Sequence, residues 1–218
     1  MERKNKGINL PFEIIPLYVS IMNGNRLLQD IYFFYPTASE KDTLDCEKKL
    51  ACRTNKIKYK KPLKENDFYD EIQRIAHGFA VVDWTDMNSC CYELKILLHK
   101  NQEVLDDDVE LMSALNGTRY DLRVFISVLH PYYFLFIEET RYIEALDKWL
   151  FNSKSVSSIE GNRLSKEICS YLSQRGYFEI TNIIAKEIVP DVQTELKDVG
   201  QATVFDCLFT DIMDVGLV

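Results

Sequence analysis

Residues 120–138 read YDLRVFISVLHPYYFLFIE, and this stretch sets the fold. Two runs rich in β-branched and aromatic residues, Tyr120–Leu129 and Tyr132–Glu138, flank His130-Pro131. Such residues favour the pleated, half-buried surface of a sheet, and a proline is tolerated in the turn but not within a central strand. The stretch predicts an antiparallel hairpin, and the neighbouring elements are read outward from it.

Upstream, Phe68, Ile72, Ile75, Ala76 and Phe79 recur at helical spacing, so Asn66–His77 reads as a helix stopped by Gly78. Strands are expected at Phe79–Trp84 and Cys91–His99, followed by a short helix opened by Asp106-Asp107-Asp108 and closed by Asn116-Gly117. Nearer the start, Asn23-Gly24 signals a turn, giving a hairpin of Leu17–Met22 with Asn25–Phe34. Ser39–Arg53 reads as a charged helix, and residues 1–9 as a disordered tail. Downstream, Tyr142–Phe151 is expected to be helical. The polar stretch within 152–160 is the one internal seam, and Ser157-x-x-Glu160 caps a helix carrying Leu164, Ile168, Tyr171 and Leu172. Strands then close the chain: Tyr177–Val189, and a hairpin of Asp191–Leu196 with Gln201–Phe209. Helices and strands mix without βαβ alternation. The expectation is therefore one α+β domain over 1–218, with a mixed, largely antiparallel sheet and several packed helices.

Composition narrows the function classes. The 218 residues are 46% hydrophobic and 28% charged, as in ordinary globular proteins, with 12 Tyr and 12 Phe. Only 8 are glycine, roughly half the average usage, which counts against glycine-rich phosphate loops. The net charge of −8 repels nucleic acid and anionic membranes at long range and favours a basic protein partner. One basic run stands out, Lys56, Lys58, Lys60, Lys61 and Lys64 around Tyr59, and reads as a solvated strand or loop. Six cysteines lacking any C-x-x-C pair read as reduced thiols. Pro11, Glu13 and Pro16 interrupt the first apolar stretch, so neither a signal peptide nor a membrane span is expected, and the location is cytoplasmic.

No G-x-S-x-G, P-loop or H-E-x-x-H motif is present, and the three histidines lie far apart. Two groupings carry chemistry. In the first, Asp83 ends one expected strand and Glu93 and Lys95 lie on one face of the next, with Glu71 on the preceding helix. Two carboxylates can hold Mg²⁺, and the lysine can position a water. With the order helix, strand, strand, helix, strand over 66–129, this resembles the core of the PD-(D/E)xK nucleases, and the resemblance implies a Mg-dependent nuclease using Asp83, Glu93 and Lys95. No proline precedes Asp83, and Glu-x-Lys also occurs at Glu47/Lys49 and Glu195/Lys197. In the second grouping, the C-terminal hairpin register sets Asp191 opposite Asp206, with Glu195 on the same face. Like charges opposed across strands suit a surface built to meet a cation or a basic partner. The leading expectation is a non-enzymatic binding protein of the inhibitor or toxin-immunity type, engaging a basic protein through Asp191, Glu195 and Asp206. It implies no cofactor or metal.

Overall fold

The computed structural model describes residues 26–99, 108–152 and 158–212. Its centre is a six-stranded sheet in the order β1 (Val81–Asp83), β2 (Cys91–Leu97), β3 (Thr118–Ser127), β4 (Tyr132–Ile143) and β5 (Lys148–Asn152), all antiparallel. The short β6 (Phe178–Glu179) runs parallel to the start of β4. The hairpin that anchored the sequence reading forms with Phe125 opposite Phe134 and Ile126 opposite Tyr133. The fold is α+β, with a mixed and largely antiparallel sheet.

Strict alternation along β2 and β3 gives the sheet two unlike faces. One presents Leu94, Ile96, Leu122, Val124 and Ile126, and packs against two helices, α3 (Asp67–Ile75) through Phe68 and Ile72, and α5 (Ile159–Gln174) through Leu164, Ile168 and Leu172. α5 sits close because residue 161 is glycine: a Cβ there would lie 2.6 Å from Ile137 Cδ1 and 2.9 Å from Leu98 Cδ1. The second face is divided. Towards the β3–β4 turn, Phe125, Phe134 and Phe136 meet Phe205 and Phe209 in an aromatic cluster, with Phe205 5.3 Å from both Phe125 and Phe134. Towards the other end the same face is charged.

Several elements differ from the sequence expectation, each for a local reason. Residues 26–34 form a helix, α1, not the second arm of a hairpin. Leu27, Ile31 and Phe34 are buried at helical spacing, and that stripe overrides the strand propensity of 26–34; Leu17–Met22 and Asn23-Gly24 lie outside the described residues. The charged helix is α2 (Leu44–Lys58), later than expected because Thr43 is the residue that caps it. The Asp-rich start contributes Asp108 as cap of α4 (Val109–Ala114), its side chain accepting from Leu111 N–H. Asp106 and Asp107 lie outside the described residues, as do the tail 1–9 and most of the expected seam. Tyr142–Phe151 is not helical: β4 runs to Ile143, and β5 returns after Asp147, which takes a left-handed φ of 46°. That conformation, tolerated by Asp, lets the chain reverse, and Trp149 then packs 4.7 Å from Tyr142. α5 is capped by Ser158, one residue later than expected.

The C-terminal region departs most. Of Tyr177–Val189 only Phe178–Glu179 is a strand, because Thr181 caps a one-turn helix, α6 (Asn182–Ala185). The expected hairpin arm Gln201–Phe209 contains instead a short helix, α7 (Val204–Leu208), started by a reciprocal box in which Thr203 and Asp206 satisfy each other's backbone N–H. The six cysteines are all free, three of them buried. No helix among the described residues is long and apolar enough to cross a membrane.

α7 and the residue that ends it thus deliver Phe205 and Phe209 to the second face, and their burial should hold the C-terminal region to the sheet. Phe205→Ala is expected to cost about 3–5 kcal/mol in urea unfolding, whereas Phe151→Ala at an exposed site should stay within about 0.5 kcal/mol. Equal effects would contradict this placement of the core.

Candidate functional site

The charged half of the second face follows from alternation and register. Glu93 and Lys95 on β2 share their face with Arg119, Asp121 and Arg123 on β3, because Lys95 pairs with Arg123 and Leu97 with Asp121. Glu138 on β4 faces Asp121. These side chains form one network of three cations and three carboxylates. Lys95 Nζ lies 3.5 Å from Asp121 Oδ2 and 3.8 Å from Glu138 Oε2. Arg119 Nε donates to Asp121 Oδ2 at 2.9 Å. Arg123 donates to both Glu138 oxygens, at 3.0 and 3.1 Å, and through its other terminal nitrogen to Glu93. The Trp84 ring covers Lys95, 5.1 Å from Nζ.

Burial sets the electrostatics. Lys95 and Arg123 are each 3% exposed and Asp121 is fully buried, so the network is interior rather than a solvated strand face. Burial pushes the Glu93 carboxyl up against the opposing pull of Arg123, and pushes Asp121 up against Arg119 and Lys95. Asp121 Oδ1 is buried without a hydrogen-bond partner. Charges placed this way are neutralised by one another.

The proposed nuclease residues do not converge on one face of the sheet. The element order expected for that family is present, but Asp83 pairs with Leu94 and so belongs to the opposite face from Glu93 and Lys95. Asp83 is exposed, and its Oδ1 accepts from Thr85 N–H. Glu71 is bonded to Arg74 on its own helix. Glu93 and Lys95 are each occupied by a buried partner of opposite sign. Among the described residues no group of three or more His, Cys, Asp and Glu side chains is placed to hold a metal ion. Arg119, Asp121, Arg123 and Glu138 escaped the sequence reading. Their signal was there, as opposite charges at i, i+2 on consecutive strands whose alternate positions are apolar.

The three carboxylates expected to share an acidic face are also separated. Asp206 is 7% exposed, and its Oδ2 accepts from Thr203 N–H at 2.8 Å and from Thr203 Oγ1 at 2.8 Å, so it is a cap rather than a surface charge. Asp191 sits at φ 59° outside any strand, exposed. Glu195 is 75% exposed and lies 3.8 Å from Arg53 of α2. The repulsive Asp191–Asp206 pairing does not arise, because a helix replaces the strand that required it.

What surrounds Asp191 and Glu195 is nevertheless unusual. Residues 178–212 carry seven carboxylates against two lysines. Along 178–199, Phe178, Ile183, Ile188, Leu196 and Val199 are all exposed, Ile183 by 79% and Leu196 by 62%. Exposed Glu179, Glu187, Asp191, Glu195 and Asp198 alternate with them in sequence. Backbone bonds hold the segment in place: Ala38 N–H to Asp191 O, Val189 N–H to Ala202 O and Val204 N–H to Glu187 O, with Leu196 N–H donating to Asp211.

Comparison of the chain with protein-family models, with curated proteins and with solved structures gave no match.

Because the network is buried, removing one member should leave charge uncompensated. Lys95→Ala is expected to cost about 3–5 kcal/mol of stability, measured by urea unfolding, while Asp83→Ala should be near neutral. A stable Lys95→Ala protein would mean that this lysine is not part of a structural network.

Proposed function

We propose that the protein is a non-enzymatic binding protein of the inhibitor or toxin-immunity type, and that segment 178–199 is the surface it presents to a basic protein partner. The observation that carries the reading is the alternation, on one ordered but largely irregular segment, of exposed apolar side chains with exposed carboxylates. Apolar anchors supply contact energy once water is excluded, and surrounding carboxylates steer a cationic partner and fix its orientation.

The charge distribution supports the same reading. The buried charged side chains of the described residues are three cations and four carboxylates, so they account for one unit of the net −8. The remaining excess lies elsewhere in the chain, where it contributes to a field attracting positive surfaces. Within this proposal Asp191 and Glu195 keep the role expected of them, and Asp206 supports the segment by starting α7.

Lysine-reactive cross-linking tests the proposal directly, since Lys186 and Lys197 lie within the segment. A basic protein should be captured at one or both, and the capture should disappear in Ile183→Arg/Leu196→Arg, which alters two exposed positions without touching the core. Against the purified partner, Asp191→Asn and Glu195→Gln should slow association and flatten its salt dependence, with unfolding midpoints unchanged. A basic partner attached through another face, or binding indifferent to these four positions, would defeat the proposal.

A further inference from the structure

The basic run of the sequence has a different fate from the one expected. Lys56 and Lys58 close helix α2, and Lys60 follows it. They lie beside a cleft of about 650 Å³ between the end of α2 and the β3–β4 turn, lined by Lys56, Tyr59, Lys60, Tyr92, His130 and Tyr177 among others. That volume falls within the roughly 300–1,000 Å³ of small-ligand sites.

Three observations define what such a cleft would take. First, no carboxylate is among the described residues that line it, although the chain carries 34 acidic side chains. Second, its two lysines are used differently. Lys60 Nζ is held by the carbonyls of Asp86 at 2.7 Å, Ser89 at 3.0 Å and Cys91 at 3.4 Å, so it fixes positive charge in the wall. Lys56 makes a 3.5 Å contact to Leu129 O, longer than the roughly 2.7–3.2 Å of a normal bond, and lies 5.9 Å from the Phe34 ring centroid on an exposed side chain. His130 also lines the cleft, with its Nδ1 3.9 Å from Asp30 Oδ1. Third, the walls are aromatic. Tyr92 packs edge-on to Phe68 at 5.4 Å, and Tyr59 is 72% exposed.

The last turn of α2 gives its lysines an ordinary alternative role, because cations there complement the helix dipole. That role accounts for Lys56 and Lys58 alone. It does not account for a carboxylate-free cleft, an anchored Lys60 or the tyrosine walls.

We infer that this cleft is a binding site for a small anion bearing a planar ring. The ring lies against the tyrosines, and the anionic group meets the Lys56 ammonium. The anionic group is a phosphate monoester or a carboxylate, and the two share the chemistry that Lys56 recognises. α2 forms one wall of the cleft; none of its residues is buried, and Cys52, Ile57 and Arg53, the last 4.6 Å from the Tyr35 ring centroid, tie it to the core. The assignment does not rest on the one made for segment 178–199, so either can fail without the other.

The test is amide NMR titration of the full chain with four probes: inorganic phosphate, adenosine, adenosine monophosphate and benzoate. One of the two ring-bearing anions should give saturable shifts at residues 55–60 and 127–131 and bind at least about tenfold more tightly than phosphate or adenosine alone. Which of the two binds identifies the anionic group. Lys56→Gln and Tyr59→Ala, both at exposed positions, should each weaken that binding by about tenfold or more, with unchanged unfolding midpoints. No saturable shift by either ring anion up to about 10 mM overturns the assignment. Shifts confined to other residues, or affinity unaltered in both variants, do so as well.

Discussion

Arg123 bonded to Glu93 on one neighbouring strand and to Glu138 on the other is the interaction on which the rest of the structure depends. An isolated charge at that depth would be strongly unfavourable, and a pair gains its place only when every partner is in position. The network therefore constrains register as well as stability. A slip of β2 by one residue against β3 would move Leu94 into the charged layer and drive Glu93 towards the helices. One face of the sheet is thereby committed to apolar packing under α3 and α5. The other is divided between charge and the Phe125, Phe134, Phe205 and Phe209 cluster.

This division bears on function. Glu93 and Lys95, the residues most suggestive of chemistry in the sequence, are occupied by Arg123 and Asp121. What remains accessible is a surface with an acidic surplus, and two places on it stand out. Along 178–199 carboxylates alternate with exposed aliphatic side chains, and beside α2 a tyrosine-walled cleft carries lysines and no described carboxylate. The first is the surface proposed for a basic protein, and the second the site proposed for a small anion.

The β3–β4 hairpin, α3, β1, β2 and α5 were legible in the sequence because hydrophobic period, turn residues and caps agreed there. The errors fall where they disagreed. Tyr142–Phe151 has a composition that a strand accepts as readily as a helix, and Asp147 in a left-handed turn decided it. Near the C-terminus, β-prone Val204, Phe205 and Phe209 suggested strand, while the Thr203/Asp206 box, a four-residue signal, set a helix. That substitution also dissolved the expected acidic face, since Asp206 turned inward as a cap. The charged network was only half legible. Alternating charge showed that one face of β2 and β3 was polar, but whether water or other charges would meet it depends on strand order, which no local pattern specifies.

The central claim is that these charges stabilise one another inside the fold, and a double-mutant cycle tests it most directly. Glu93→Gln, Arg123→Met and the double variant would be unfolded in urea alongside the parent protein. Mutual stabilisation requires the two substitutions to be coupled by about 1–3 kcal/mol, the double variant losing less stability than the sum of the singles. Additivity within about 0.5 kcal/mol would show that Glu93 and Arg123 do not depend on each other, and would return Glu93 to the residues available for chemistry.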